Sequence, residues 1–394
     1  MPTASQFASA IDQGKESANN PVMQRIYLDY NASTPIDPAV VAVMRSLLEE
    51  GYGNPSSGHW ASAPAKAALD EARSRVAALL GCTAAEIVFT SGGSEANNLA
   101  LKGLFYQRGD RPSHVITSQI EHPATLAPCR FLERLGATVT HVPVDGSGLV
   151  DPDDIRKVIS KETFLISVMH ANNEVGTIQP IPDIAKIARA HGVLLHTDAA
   201  QSVGKIATRV DELGVDLLSV AGHKLYAPKG IGALYVRRGI TVEPLIHGAG
   251  HEDGRRAGTE SALLAAALGK ACEIAQSWTD MPEVRQLRDH FWQRLRTVFG
   301  NQVVLNGHPE QRLPNTLNVS FIGRIGADIL ARMPAIAAST GSACHSGQIA
   351  SSPVLKAMRV TPERGLGAVR FSLGRSTTQE EVEEVVNQLR RVLV

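Results

Sequence analysis

The chain has 394 residues, 43% hydrophobic and 5% aromatic, which is ample for a large core and for more than one domain. Lys and Arg together number 39, as do Asp and Glu, so the formal net charge is zero and no charge excess points to nucleic acid or a membrane surface. The four cysteines, Cys82, Cys129, Cys272 and Cys344, form no CxxC pair and lie far apart, which argues against a zinc site or a disulfide framework and for a reducing cytoplasm.

Residues 1–25 are polar, rich in Ser, Ala, Asn and Gln, and lack the apolar stretch of a secretory signal. They are expected to be a disordered tail or an arm. No apolar run reaches the roughly 20 residues needed to span a bilayer. From there short apolar runs, the expected strands, fall at 86–90, 113–118, 138–142, 164–169, 193–197, 215–220 and 232–236. Amphipathic stretches near 61–80, 94–108, 123–136, 151–160 and 180–191 lie between or before them, with Gly81 where a helix would end. This alternation predicts an α/β fold with helices on both faces of a sheet.

After about residue 260 the pattern changes. One long helical stretch, 262–299, precedes strands at 302–305, 316–321, 335–339 and 368–373. The final helix, 378–392, opens with Thr378 and Glu381 at capping-box spacing, and Val382, Val385, Val386 and Leu389 mark one face. We therefore expect a large domain over 26–260 and a small C-terminal α+β domain over 261–394, with which the N-terminal segment packs.

Five constellations carry chemistry. FTSGGSEANN (89–98) ends a strand, turns on two glycines and opens a helix at Ser94, whose free N–H groups suit a phosphate, although many plain turns look alike. HTDAAQS (196–202) puts Asp198 at a strand's carboxyl end. A buried carboxylate there needs a cation, and the protonated ring nitrogen of pyridoxal 5'-phosphate (PLP) is one; a helix N-cap is the plainer reading. Lys224, in SVAGHKLYAPKGIGALYV (219–236), sits in an apolar, glycine-flanked stretch where burial lowers an amine's pKa and fits it for a Schiff base, with His223 beside it. STGSACHSG (339–347) carries Cys344 among small residues, as a mobile sulfur-carrying loop requires or as an inert loop cysteine would show. Arg370, in VRFSLGRSTT (369–378), lies within a strand pattern and suits either an α-carboxylate or a structural salt bridge. Cys129 and Cys272 read as core filler. A metal reading rests on His247, His251, Cys344 and His345, but Gly248 and Gly250 break the helix that would align the first two, so no metal is expected.

From about Tyr27 to the C-terminus the chain resembles the cysteine desulfurases of the class V aminotransferase group. The resemblance is carried by YLDYNASTPIDP from residue 27, GNPSS at 53–57, EHPA at 121–124, MHANNEVGTIQP at 169–180, DAAQSVGK at 198–205, GHKLYAPKGIGALYVRR at 222–238, RRAGT at 255–259, GSAC at 341–344 and RFSLGR at 370–375. It implies a PLP-dependent transferase of fold type I, a homodimer whose large domain holds a mixed seven-stranded sheet. Position by position it implies Lys224 as the Schiff-base lysine and Asp198 as the partner of the pyridine nitrogen. Gln201 would contact the ring hydroxyl, and His122 would stack on the ring and assist proton transfer. Gly93, Ser94 and His223 would hold the phosphate, and Thr259 would complete that site from the other subunit. Asn173 and Arg370 would orient the substrate carboxylate, and Cys344 would accept sulfur as a persulfide, for delivery to an acceptor protein such as an iron–sulfur scaffold. Ala221 departs from the Ser frequent at this cofactor-binding position and removes a phosphate donor; Ser261 departs from a frequent Asn. ACHS at 343–346, SPVL at 352–355, GRSTT at 374–378 and the non-Ser residue at 221 are also similar to selenocysteine lyases, so L-selenocysteine stands as the alternative substrate to L-cysteine. The length of chain from Cys344 to Arg370 fits the desulfurases.

Overall fold

The computed structural model describes residues 25–340 and 352–394; Cys344, His345 and nearly all of the expected tail lie outside the described residues. Seven strands form the main sheet: β2 (Ile87–Thr90), β3 (His114–Ser118), β4 (Thr138–Val142), β5 (Thr163–Ser167), β6 (Leu194–Asp198), β7 (Leu217–Ala221) and β8 (Gly232–Val236). Their order is β2-β8-β7-β6-β5-β3-β4. All neighbours pair in parallel except β8, which runs antiparallel to β2 and β7. The sheet is thus mixed and seven-stranded, as expected.

Strands β3, β5, β7 and β8 are buried on both faces, which is why they read as continuous apolar runs and not as alternating ones, whereas the edge strand β4 is partly exposed. Successive residues still divide between two cores, as the pleat demands. Ile116, Ile166, Leu218 and Tyr235 join the helices Ala63–Leu80, Ile181–Ala190 and Ala262–Ala275 on one face. Val115, Leu165, Leu217 and Leu234 join Gly93–Gln107 and Pro123–Arg134 on the other. Cys272 and Cys129 are buried one in each core, and burial pushes both thiols up to about 12.

A second, smaller body is built on an antiparallel sheet of β9 (Val303–Asn306), β10 (Thr316–Phe321) and β12 (Ala368–Ser372), in the order β12-β10-β9. The helices Pro282–Phe299 and Gln379–Leu393 cover it through Phe291, Leu295, Val382, Val385, Val386 and Leu389. The Thr378–Glu381 capping box is formed. The first described strand belongs to this core: β1 (Ile26–Tyr27) pairs in parallel with β11 (Ile336–Ala337), and Ile26 and Leu28 are buried in it.

Two expectations need correction. The helical stretch 262–299 is two helices, Ala262–Ala275 and Pro282–Phe299. Asp280 and Met281 take positive φ values of 68° and 39° between them, and Pro282 starts the second helix where its missing N–H costs nothing. The first helix, expected at the head of the small domain, packs in the large core: a Cβ on Gly269 would stand 2.6 Å from Ala72 Cα. In addition, helix Pro38–Glu50 was not anticipated, though Asp37 caps it by accepting from Ala39 N at 2.9 Å and Pro38 opens it.

Candidate active site

β3, β5, β6 and β7 are parallel, so their carboxyl ends share one edge, where open α/β sheets bind ligands. The segments leaving these ends line a cavity of about 670 Å³ together with Asn31, the turn Ser91–Ser94 and Arg370. Of the residues singled out from sequence, Gly93, Ser94, His122, Asn173, Asp198, Gln201, Ala221, His223, Lys224 and Arg370 line this one cavity. Thr259 does not; it lines a separate cavity of about 100 Å³ that shares Ser91, Gly230 and Ile231 with the first. Cys344 lies outside the described residues.

Asp198 is the last residue of β6 and is 6% exposed. Its carboxylate accepts from Asn97 Nδ2 at 2.7 Å and from Ala200 N at 2.9 Å. No ion pair with a lysine or arginine is formed by it among the described residues, so a buried charge faces the cavity with only neutral donors behind it. Asn97 is the residue that sequence reasoning missed here: it lies in FTSGGSEANN but reads as an ordinary helix residue.

Lys224 follows β7 in a short 3₁₀ turn. Its Nζ donates to the carbonyls of Asn31 at 2.5 Å and Ala32 at 2.7 Å. Burial, and then the positive charge of Arg370, push its amine down to about 8, against the opposing pull of Asp29 and Asp198. An amine so poised is a competent nucleophile near neutral pH. His122 is the N-cap of helix Pro123–Arg134; its Nδ1 accepts from Ala124 N at 3.1 Å, which leaves the proton on Nε2. Burial lowers its pKa, with Asp198 raising and Lys224 lowering it further.

The turn between β2 and helix Gly93–Gln107 is set by glycine. Gly92 has φ 153° and ψ −179°, a region open essentially to Gly, and it caps the helix with no side-chain hydrogen bond. The first N–H groups of the helix therefore face the cavity beside Ala221, whose Cβ would lie 3.2 Å from a Cβ on Gly93. That donor set suits a phosphate. His223 stands near it, its Nδ1 3.3 Å from Ser33 Oγ; burial, Lys224 and Lys229 push its pKa down to about 4, so it is neutral at pH 7. Glu95 binds Ser91 N at 2.7 Å and pairs with Arg256 at 2.9 Å, which ties the turn to the segment that carries Thr259.

Arg370 enters from β12 of the smaller body. Its Nη2 meets Asp29 Oδ1 at 2.6 Å and its Nη1 donates to Asn173 O at 2.9 Å. The salt bridge weighed from sequence is formed, and the same side chain lines the cavity. Asn31 is the second residue missed: its carbonyl also accepts from Gln201 Nε2 at 2.9 Å, and its Nδ2 reaches Asn173 O at 3.2 Å. Among the described residues no three His, Cys, Asp or Glu side chains converge as a metal site.

A buried carboxylate awaiting a cation, an amine of depressed pKa and a glycine-built helix N-terminus are the three points by which PLP is held, and the residues present fit it. The comparisons agree. The Aminotransferase class-V family matches residues 26–385, and the chain belongs to that family. It is accordingly a PLP-dependent enzyme of fold type I. It is 45% identical over 374 residues to the cysteine desulfurase IscS of Dictyoglomus turgidum, covering 94% of this chain and 95% of that one. Among solved structures it is similar to a NifS-like protein, at 35% identity with a TM-score of 0.87 over 94% of this chain and 99% of that one. It is also similar to SspA in complex with cysteine, at 38% identity with a TM-score of 0.79 over 88% and 98%.

Proposed function

We propose that the chain is a cysteine desulfurase that takes sulfur from L-cysteine onto Cys344 and leaves alanine. The observation that carries this is the cavity itself, in which Lys224, Asp198 and His122 face Arg370 across a space open to a small amino acid. The identity to cysteine desulfurases over nearly the whole chain and the likeness to a protein bound to cysteine support the same substrate.

Bound PLP supplies an electron sink for the substrate's Cα. Asp198 favours the protonated ring nitrogen on which that sink depends, and Lys224 holds the cofactor and then takes the α-proton. Gln201 and Asn173 orient the ring and the substrate. His122, whose Nε2 carries its proton, would help hold the ring and pass a proton there. Arg370 receives the substrate carboxylate while keeping Asp29. The N-terminus of helix Gly93–Gln107, with Ser94 and His223, binds the phosphate. The Cys344 thiolate attacks the substrate's sulfur: a sulfur–sulfur bond forms, the carbon–sulfur bond breaks, and the electron pair returns to carbon, which is protonated on the way to alanine. Thr259 serves the phosphate site of a second copy in a homodimer, in keeping with its place outside its own chain's main cavity. The persulfide then passes to an acceptor protein, such as an iron–sulfur scaffold, in the cytoplasm.

The test is alanine release from L-cysteine and from L-selenocysteine by the wild type and Cys344→Ala. Turnover of cysteine that is lost in the variant, with PLP absorbance retained, is expected. Turnover of selenocysteine alone, or cysteine turnover that survives in the variant, would overturn the reading.

A further inference from the structure

Lys205 closes the loop that leaves β6 through Asp198 and Gln201, and the chemistry above does not use it. It is 5% exposed. Burial, together with the charges of Lys224 and Arg370, holds its amine well below the ordinary lysine range, and among the described residues no carboxylate forms an ion pair with it. Its Nζ donates to two oxygens, Asn31 Oδ1 at 3.0 Å and Gln201 Oε1 at 2.9 Å. An uncharged amine has two N–H donors and both are satisfied; an ammonium has three, and the third would be buried without an acceptor among the described residues.

Both acceptors lead to Lys224. With Oε1 taken by Lys205, the Gln201 amide has one orientation left, and its Nε2 meets Asn31 O at 2.9 Å. That same carbonyl receives Lys224 Nζ at 2.5 Å. The Asn31 side chain is fixed in the same way: Oδ1 accepts from Lys205 and from Asn315 Nδ2 at 3.0 Å, so Nδ2 turns to Thr316 Oγ1 at 2.8 Å and to Asn173 O. Arg370 Nη1 donates to that Asn173 oxygen as well. One buried amine thus orients two amides that touch the groups assigned to ring, lysine and substrate.

We propose that Lys205 is a positioning residue: it orients Gln201 and Asn31 and through them sets where the Lys224 amine stands. The inference rests on the reading of Lys224 as the residue that holds PLP. It is tested on the PLP-loaded wild type, Lys205→Met and Lys224→Ala, by the pH midpoint of the cofactor's visible absorption and by kcat and KM for alanine release. Methionine keeps an unbranched stem but has no donor, and the charges facing Lys224, namely Arg370, Asp29 and Asp198, are untouched. Lys205→Met should keep PLP, move the absorption midpoint by about half a pH unit or more, and lower kcat roughly tenfold with KM within about twofold. A midpoint and kcat equal to the wild type's would overturn the inference. If Lys205→Met does not fold, Lys205→Gln, which keeps an NH₂ donor on a shorter stem, decides by the same two readouts. Lys224→Ala should lose the wild-type absorption; if it retains it, the reading of Lys224 fails, whatever Lys205→Met shows.

Discussion

The two halves of the cavity handle charge differently. On the side of the seven-stranded sheet, the buried Asp198 and the half-buried Lys224 rest against neutral partners, an amide, a backbone N–H and two carbonyls. On the side of the smaller body, Arg370 already has its counter-ion in Asp29 at 2.6 Å. The first arrangement is costly unless something charged arrives, and it suits a cofactor bound once and kept. The second is balanced before anything binds, and it suits a substrate that must come and go, since a carboxylate entering beside Asp29 shares the guanidinium and does not rescue it.

Substitutions can break that contrast. The largest loss is expected from Asp198→Asn, which removes the charge but keeps the shape: alanine formation should fall roughly 100-fold or more, with a changed visible spectrum of the bound cofactor. Arg370→Met should act mainly on KM, raising it about tenfold to 100-fold, the worth of a charge-assisted hydrogen bond of ~1.5–3 kcal/mol. The same variant carries a pH signature. Lys224, pushed down to about 8 by burial and then by Arg370, must be unprotonated to capture PLP. In cofactor-free protein the capture rate, followed by absorbance, should therefore rise with pH and level off above about 8. Removing Arg370 takes away a lowering charge, so the midpoint should move to higher pH. Asp29→Asn should do less, a few-fold in KM at most, if the pair is balanced as described. A small effect of opposite sign is expected from Ala221→Ser, which offers a hydroxyl beside Gly93: PLP should bind about twofold tighter, ~0.5 kcal/mol, in an equilibrium titration, and unchanged or weaker binding would remove this residue from the phosphate site.

The same contrast explains what the sequence could reveal. Asp198 ends strand β6 and Lys224 follows β7, whose apolar runs are plain in the sequence, so the local pattern pointed to both, whereas His122 came only through the family resemblance. Arg370 was visible because a cation inside a strand pattern is out of place. Asn31, Asn97 and Lys205 were not, because nothing local marks them: their partners stand far along the chain, as Thr316 does for Asn31 and Asp198 for Asn97. The break at 276–281 was hidden for a related reason. QSWTDM carries no Gly or Pro, and only Pro282 marks a new first turn. Helix Pro38–Glu50, by contrast, had a legible Asp-Pro start that the alternation of strands drew attention away from.

The pairing of β1 with β11 has a consequence for how the protein is made. Ile26 and Asn31 leave the ribosome long before their partners: Asn31 N bonds Ser372 Oγ across 341 residues. The seven-stranded sheet can assemble without the smaller body, but β1 must stay unpaired until β11 has been made. Cofactor capture through Lys224, whose amine rests on the carbonyls of Asn31 and Ala32, then waits for β12, and a ribosome-stalled chain ending before β12 should emerge colourless even with PLP in excess.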